Sequence, residues 1–171
     1  DLTTTLVKDI NAGMASSMPY GFVVYKDTLY FIANTDSAGY ELWRSDGTAV
    51  GTKLVKDIYV GSASSFRRNP YFEESYGALI IYNDKLFFRA SDATNGTELW
   101  QSDGTAAGTG LVKDITLGTG GSNPFSLVTF KNELYFLANQ QLWKSDGTAA
   151  GTQLLKSTLF SDYRISNVDS S

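Results

Sequence analysis

The sequence contains no cysteine and no histidine. Without cysteine there is no disulfide, no thiolate nucleophile and no sulfur ligand for a metal, although the cellular compartment stays open. Without histidine the chain lacks the commonest acid–base group at neutral pH and the commonest transition-metal ligand. Both absences weigh against catalysis. Positive charge is also scarce: 14 lysines and arginines stand against 18 aspartates and glutamates, for a net charge of −4 and a pI near 4.7. Nucleic acid and anionic membrane are poor partners for such a chain, because phosphate binding needs concentrated Lys and Arg. No apolar run approaches the ~20 residues of a membrane-spanning helix, and the first residues are not expected to be a signal peptide, which is uninformative for an excerpt of a longer protein.

What the chain does have is repetition. Glu41-Leu42-Trp43-Arg44-Ser45-Asp46-Gly47-Thr48-Ala49-Val50-Gly51-Thr52 returns nearly letter for letter from Glu98 and from Gln141. Upstream of each copy lies a strand-like run, Leu29-Tyr30-Phe31-Ile32-Ala33, Leu86-Phe87-Phe88-Arg89-Ala90 or Leu134-Tyr135-Phe136-Leu137-Ala138. Downstream come Leu54-Val55-Lys56-Asp57-Ile58, Leu111-Val112-Lys113-Asp114-Ile115 and a shortened Leu154-Leu155-Lys156. Three copies mean an array of one structural unit. The tryptophans at 43, 100 and 143 are unevenly spaced, which implies a constant core with variable loops.

Each unit reads as four short strands, in the first copy 22–25, 29–33, 41–45 and 53–58, with a turn at Lys26-Asp27. Aromatic and β-branched residues fill the strands, and Gly, Asn and Asp punctuate the joins. Alternation puts Leu29, Phe31 and Ala33 on one face and Tyr30 and Ile32 on the other. Both faces are apolar, as in a strand sandwiched between neighbouring sheets. Lys56 and Asp57 suit an outer edge, where charge discourages aggregation. The expected fold is all-β, a β-propeller-type array of four-stranded antiparallel blades.

The expected divisions are an outer strand of a preceding blade at 1–10, blades at 18–58, 70–115 and 124–156, and the start of a further blade or linker at 158–171. Three blades are too few to close the usual ring of four to eight. Further blades of a longer chain, or a second copy, are therefore the expected partners. The repeated Asp-Gly is expected to be a corner between the third and fourth strands, with Gly accepting positive φ and Asp bonding amides two residues on. Asp46, Gly47, Asp103, Gly104, Asp146 and Gly147 thus read as structural, as do Trp43, Trp100 and Trp143 in the seams between blades.

Glu-Leu-Trp-x-Ser-Asp-Gly-Thr-x-x-Gly-Thr, preceded by Leu-Tyr-Phe-x-Ala and followed by Leu-Val-Lys-Asp-Ile, resembles the bacterial ELWxxDGT repeat family. The resemblance covers nearly the whole chain, with Gln141 replacing Glu in the third copy. It implies a secreted or cell-surface repeat protein rather than a particular activity. The corner is also similar to the Asp-box of sialidase-like propellers, where it is structural, so it carries over no catalytic residue.

Two places invite chemistry. The oxygen-rich loops before the third strand put Asp36 with Glu41, and Asp92 with Glu98, in a pattern able to hold calcium, the only cofactor suggested. The alternative is a hairpin turn whose Asp bonds backbone and whose Glu is solvated or paired with Lys. The non-repeating insert 66–76 mixes aromatics and charge, and Arg67, Arg68, Tyr71, Phe72 and Tyr76 are its candidate ligand-binding residues. A plain connector is its alternative reading. Arg89 is a further oddity, standing where the other copies have Ile32 and Leu137.

The expected function is a non-enzymatic extracellular or cell-surface scaffold for adhesion or for binding a glycan or protein. A second reading is a structural subunit that polymerises into a sheath or filament. A third is a glycoside hydrolase or sialidase-like propeller, which requires a carboxylate pair ~5–9 Å apart. Glu73 and Glu74 offer no such partner arrangement.

Overall fold

The computed structural model describes residues 4–67 and 79–157. Twelve strands fall into three sheets, and the described residues contain no helix. Sheet I comprises β1 (Tyr20–Tyr25), β2 (Thr28–Thr35), β3 (Gly39–Ser45) and β4 (Lys53–Lys56). Sheet II comprises β5 (Ile80–Tyr82), β6 (Lys85–Asp92), β7 (Gly96–Ser102) and β8 (Gly110–Lys113). Sheet III comprises β9 (Phe125–Phe130), β10 (Glu133–Ala138), β11 (Gln141–Ser145) and β12 (Gln153–Lys156). Each is an antiparallel meander whose strands lie in chain order. The three sheets do not close into a ring.

Local chemistry sets the register. The β1–β2, β5–β6 and β9–β10 hairpins turn through two left-handed residues, Lys26-Asp27, Asn83-Asp84 and Lys131-Asn132. That turn matches the right-handed twist of the strands it joins. Register then aligns Phe31 with Trp43, Phe88 with Trp100 and Phe136 with Trp143. All three sheets carry a bulge on the fourth strand, where Leu42 pairs with Lys56 but Trp43 with Leu54. The extra residue is Val55, Val112 or Leu155. A bulge of this kind bends the strand and re-aims the side chains beyond it.

Each sheet therefore has two distinct apolar faces, and the stacking uses one of each. The face of sheet I bearing Tyr25, Tyr30, Ile32, Leu42 and Val55 packs against Leu86, Phe88, Ala90 and Trp100 of sheet II. The same face of sheet II, with Tyr82, Phe87, Leu99 and Val112, packs against Leu134, Phe136, Ala138 and Trp143 of sheet III. The tryptophan face of sheet I forms a third cluster, Phe31, Ala33 and Trp43, joined by Ile10. The core is thus a series of seams rather than one centre, as expected of an array stabilised by neighbour contacts.

Two expectations about strand edges change. Residues 4–10 form no strand in this structure, although they lie against sheet I. Lys56 does not face solvent as an edge guard: its Nζ donates to the Thr109 carbonyl of sheet II at 2.7 Å. The bulge at Val55 is what turns it toward the neighbouring sheet.

Candidate functional site

The repeated motif builds two structural devices. The first is the Asp-Gly corner. Asp46 Oδ1 accepts from the Thr48 amide at 2.9 Å and the Thr48 hydroxyl at 2.7 Å. The Thr48 hydroxyl in turn accepts from the Gly51 amide, while Ser45 Oγ accepts from the Gly47 amide and bonds Thr52 Oγ1. Sheets II and III repeat the set through Asp103 and Thr105, and through Asp146 and Thr148. These bonds hold all three aspartates below the usual carboxylate range. Gly51 is required by close approach, since an added Cβ would lie 1.9 Å from Asp46 Oδ1.

The second device was not anticipated. Glu41 and Glu98 are completely buried. Glu41 accepts from the backbone amides of Ile58, Tyr59 and Ser65 and from the Ser65 hydroxyl. Glu98 accepts from the Thr116 and Ser122 amides and the Ser122 hydroxyl. The clamped serine then passes its own carbonyl to the next sheet: Ser91 N donates to Ser65 O, and Asn139 N to Ser122 O. One carboxylate thus fastens each intersheet linker to both sheets it connects. Burial pushes the Glu41 carboxyl up to about 7, against the opposing pull of Ser65, Ile58 and Tyr59, and burial raises Glu98 as well. In the third copy Gln141 bonds the Ser157 carbonyl instead.

The calcium expectation meets this geometry directly. Glu41 and Glu98 are neither solvated nor paired with lysine; their oxygens are occupied by linker amides. Asp36 exchanges hydrogen bonds with Asn11, and Asp92 accepts from the Thr94 and Asn95 amides of its own turn. No group of three or more Asp, Glu, His or Cys side chains able to hold a metal occurs among the described residues. The structure does not assemble the four candidates into a donor set.

Of the insert, Arg67 is described and exposed, while Arg68, Tyr71, Phe72 and Tyr76 lie outside the described residues. Arg89 is half-buried on β6, and its pKa falls below the arginine norm through burial and the nearby Arg67 charge, with Tyr20 opposing. Trp100 is buried in the seam between sheets I and II, Trp43 is buried on the tryptophan face of sheet I beside Ile10, and Trp143 is half-buried against the sheet II cluster. None of the three indole N–H groups has an acceptor among the described residues. These rings act as core rather than as an open stacking platform.

A surface groove that the sequence reading missed lies between the β5–β6 and β9–β10 turns. It holds about 310 Å³ and is lined by Ile81, Tyr82, Asn83, Thr129, Phe130, Lys131 and Asn132. Tyr82 Oη donates to the Asn132 carbonyl across its floor, and Lys131 Nζ sits 5.3 Å above the Phe130 ring. Apolar side chains, two asparagine amides and one cation line it together. The only sequence signal was Asn83 and Asn132 replacing the charged members of the Lys26–Asp84 pair, which bridges the equivalent position between sheets I and II at 2.7 Å. Among the described residues no helix is long and apolar enough to cross a membrane. No protein-family model matches this chain, and no curated protein matches it.

Proposed function

We propose that this chain is a non-enzymatic scaffold module of the ELWxxDGT repeat kind, its sheets acting as blades of a propeller-type array. It presents its surfaces for adhesion or for binding a glycan or protein, outside the cell or at its surface. The observation carrying this reading is the engagement of the motif's reactive side chains in structure. Asp46, Asp103 and Asp146 hold corners, and Glu41 and Glu98 hold linkers. A glycosidase needs two carboxylates facing one bond, and each of these glutamates is sealed under its own linker. What varies between copies is the surface, and the groove at Ile81, Asn83 and Lys131 is the binding site we favour.

The test is a screen of the full chain against a glycan array and against extracellular matrix proteins. Saturable binding that weakens at least tenfold on Ile81→Asp or Lys131→Ala, with folding intact, supports the reading. Hydrolysis of any glycan on the array would replace it with an enzymatic one. A second reading, assembly into a longer array or filament, is favoured by the outer face of sheet III, where Phe130 and Leu155 are 59% and 45% exposed. Their counterparts Tyr25, Tyr82, Val55 and Val112 are at most 7% exposed.

A further inference from the structure

The tips of the two seams follow one plan but are closed differently. The tyrosine that precedes each turn marks the equivalence: Tyr25 Oη donates to the Asp84 carbonyl, and Tyr82 Oη to the Asn132 carbonyl. Across the first seam the first turn residue of sheet I, Lys26, meets the second turn residue of sheet II, Asp84, in an ion pair at 2.7 Å. The same two positions across the second seam are Asn83 and Asn132. Neither side-chain amide is hydrogen-bonded to a described residue. The second seam thus keeps the tyrosine bond and lacks the charged bridge, and the groove of about 310 Å³ lies there.

Both walls of the groove come from described strands. β5 and β9 are the first strands of their sheets and pair on one side only. Those open edges suit an extended peptide poorly. β5 spans only Ile80–Tyr82, and β9 is interrupted by the left-handed Ser126, whereas strand addition needs a regular run of free backbone groups. What the groove offers suits a polyhydroxylated ring. Asn83 and Asn132 each donate through nitrogen and accept through oxygen, which is what adjacent hydroxyls require. Thr129 adds a hydroxyl, Lys131 a further donor, and Ile81, 41% exposed, an apolar patch for the C–H face of a ring. The volume sits at the lower end of the ~300–1,000 Å³ of small-molecule sites, enough for a sugar unit.

Charge narrows the ligand further. Of the lining residues only Lys131 is charged. The floor lies in a negative field: burial first, then the charges of Asp146 and Glu133, hold the Tyr82 hydroxyl above its ordinary value. A carboxylate in the groove would gain Lys131 and be opposed by Asp146 and Glu133. We infer that the groove binds a neutral pyranose unit of a glycan, gripped from its two walls by the Asn83 and Asn132 amides. Lys131 and Thr129 donate to ring hydroxyls, and Ile81 lies under the C–H face. This rests on the reading of the groove as the binding site and names its ligand class. It also gives the unequal turns a role: the ion pair shuts one seam to ligand, and the amide pair leaves the next one open.

Two-dimensional NMR titration of the isotope-labelled full chain tests it, following the side-chain amide signals of Asn83 and Asn132. The probes are neutral oligomers of glucose, galactose and mannose, oligomers of the uronate derived from each, and a set of unstructured peptides. At least one neutral oligomer is expected to shift both amide signals saturably, with its uronate counterpart binding about tenfold more weakly or worse. Asn83→Lys combined with Asn132→Asp should rebuild the bridge of the first seam. Lys26 and Asp84 already hold those turn positions at φ of 49° and 56°, against 45° and 60° for Asn83 and Asn132. The double variant should keep its urea midpoint and lose about tenfold or more in sugar affinity. Should it fail to fold, Thr129→Val, at an exposed strand position, takes its place with the same expected direction. A uronate that binds as tightly as its neutral counterpart overturns the inference, as does sugar binding that survives the variants. Peptide binding at the groove with no response to any sugar also overturns it, while leaving the scaffold reading standing. Silence toward every probe overturns both the ligand class and the choice of this groove.

Discussion

Three glycines at one motif position allow the contacts between sheets to be weighed against backbone strain. Gly47, Gly104 and Gly147 share a left-handed backbone, with φ of 89°, 92° and 91°. Their surroundings differ. An added Cβ at Gly47 meets nothing within 4 Å, at Gly147 it lies 3.0 Å from Phe87 Cζ, and at Gly104 it lies 2.0 Å from Tyr30 Oη. The reason is position in the array: sheet I covers the Gly104 corner and sheet II the Gly147 corner. Gly47→Ala therefore meets only the left-handed penalty of ~1–2 kcal/mol, partly offset by ~0.4–1 kcal/mol from a stiffer unfolded chain. The net loss is about 1 kcal/mol, or roughly 0.5 M in urea midpoint for a slope of about 2 kcal/mol/M. Gly104→Ala adds overpacking against a buried tyrosine, about 1–3 kcal/mol more. Gly147→Ala falls between them. Tyr30→Phe removes the clashing oxygen and leaves Cζ at 2.9 Å, close to the Phe87 geometry. In that background Gly104→Ala should lose no more than Gly147→Ala does alone. Urea titration followed by tryptophan fluorescence reads all of these midpoints. Equal losses at the three glycines, or no relief from Tyr30→Phe, would refute the stacking of one sheet's corner under its neighbour.

Three further outcomes are expected. Glu41 has a folded pKa of about 7 against an ordinary 4.5, so its contribution is fully present below the ordinary value and lost as pH rises through about 7. Urea midpoints measured across that window should decline, and Glu41→Gln should flatten the decline; an identical slope in the variant would rule out Glu41 as its source. The corner aspartates have the opposite sign, with folded pKa values below 3.8, so their stability is present above that value and disappears as pH falls. Asp103→Asn should remove part of the acid-side loss, seen as a shallower midpoint profile below about pH 4. Lys56→Met keeps the aliphatic stem in the seam but removes the bond to Thr109 O, and should lower stability by about 1 kcal/mol in chemical denaturation; no change would mean that the bond is decorative.

Much of the architecture was legible because strand periodicity and turn chemistry are local properties. The Asp-Gly corner, the Lys26-Asp27 turn and the apolar face of Leu29, Phe31 and Ala33 each follow from residues within a few positions of one another. The role of Glu41 was not legible in that way. A glutamate beside an oxygen-rich loop resembles a ligand, and only the path of the linker, which folds back over β3, brings the Ile58, Tyr59 and Ser65 amides to it. A signal was nevertheless present, since Ser65 follows Glu41 at the interval by which Ser122 follows Glu98, 24 residues in each case. Lys56 was misjudged for a related reason. Charge on a fourth strand suggests an exposed edge, but the one-residue bulge at Val55 turns the Lys56 side chain into the next seam. Both errors concern contacts between repeats, which depend on how one unit lies on the next and not on the composition of either.

The central claim is the order of stacking, in which the Tyr30 face of one sheet lies on the corner and tryptophan face of the next. Nuclear Overhauser measurements on the labelled full chain test it most directly. The account predicts cross-peaks from the Tyr30 ring to the Gly104 α-protons and from the Phe87 ring to those of Gly147. Loss of both, with the Phe31–Trp43 and Phe88–Trp100 contacts inside each sheet still present, would leave three correctly formed sheets and contradict the stack.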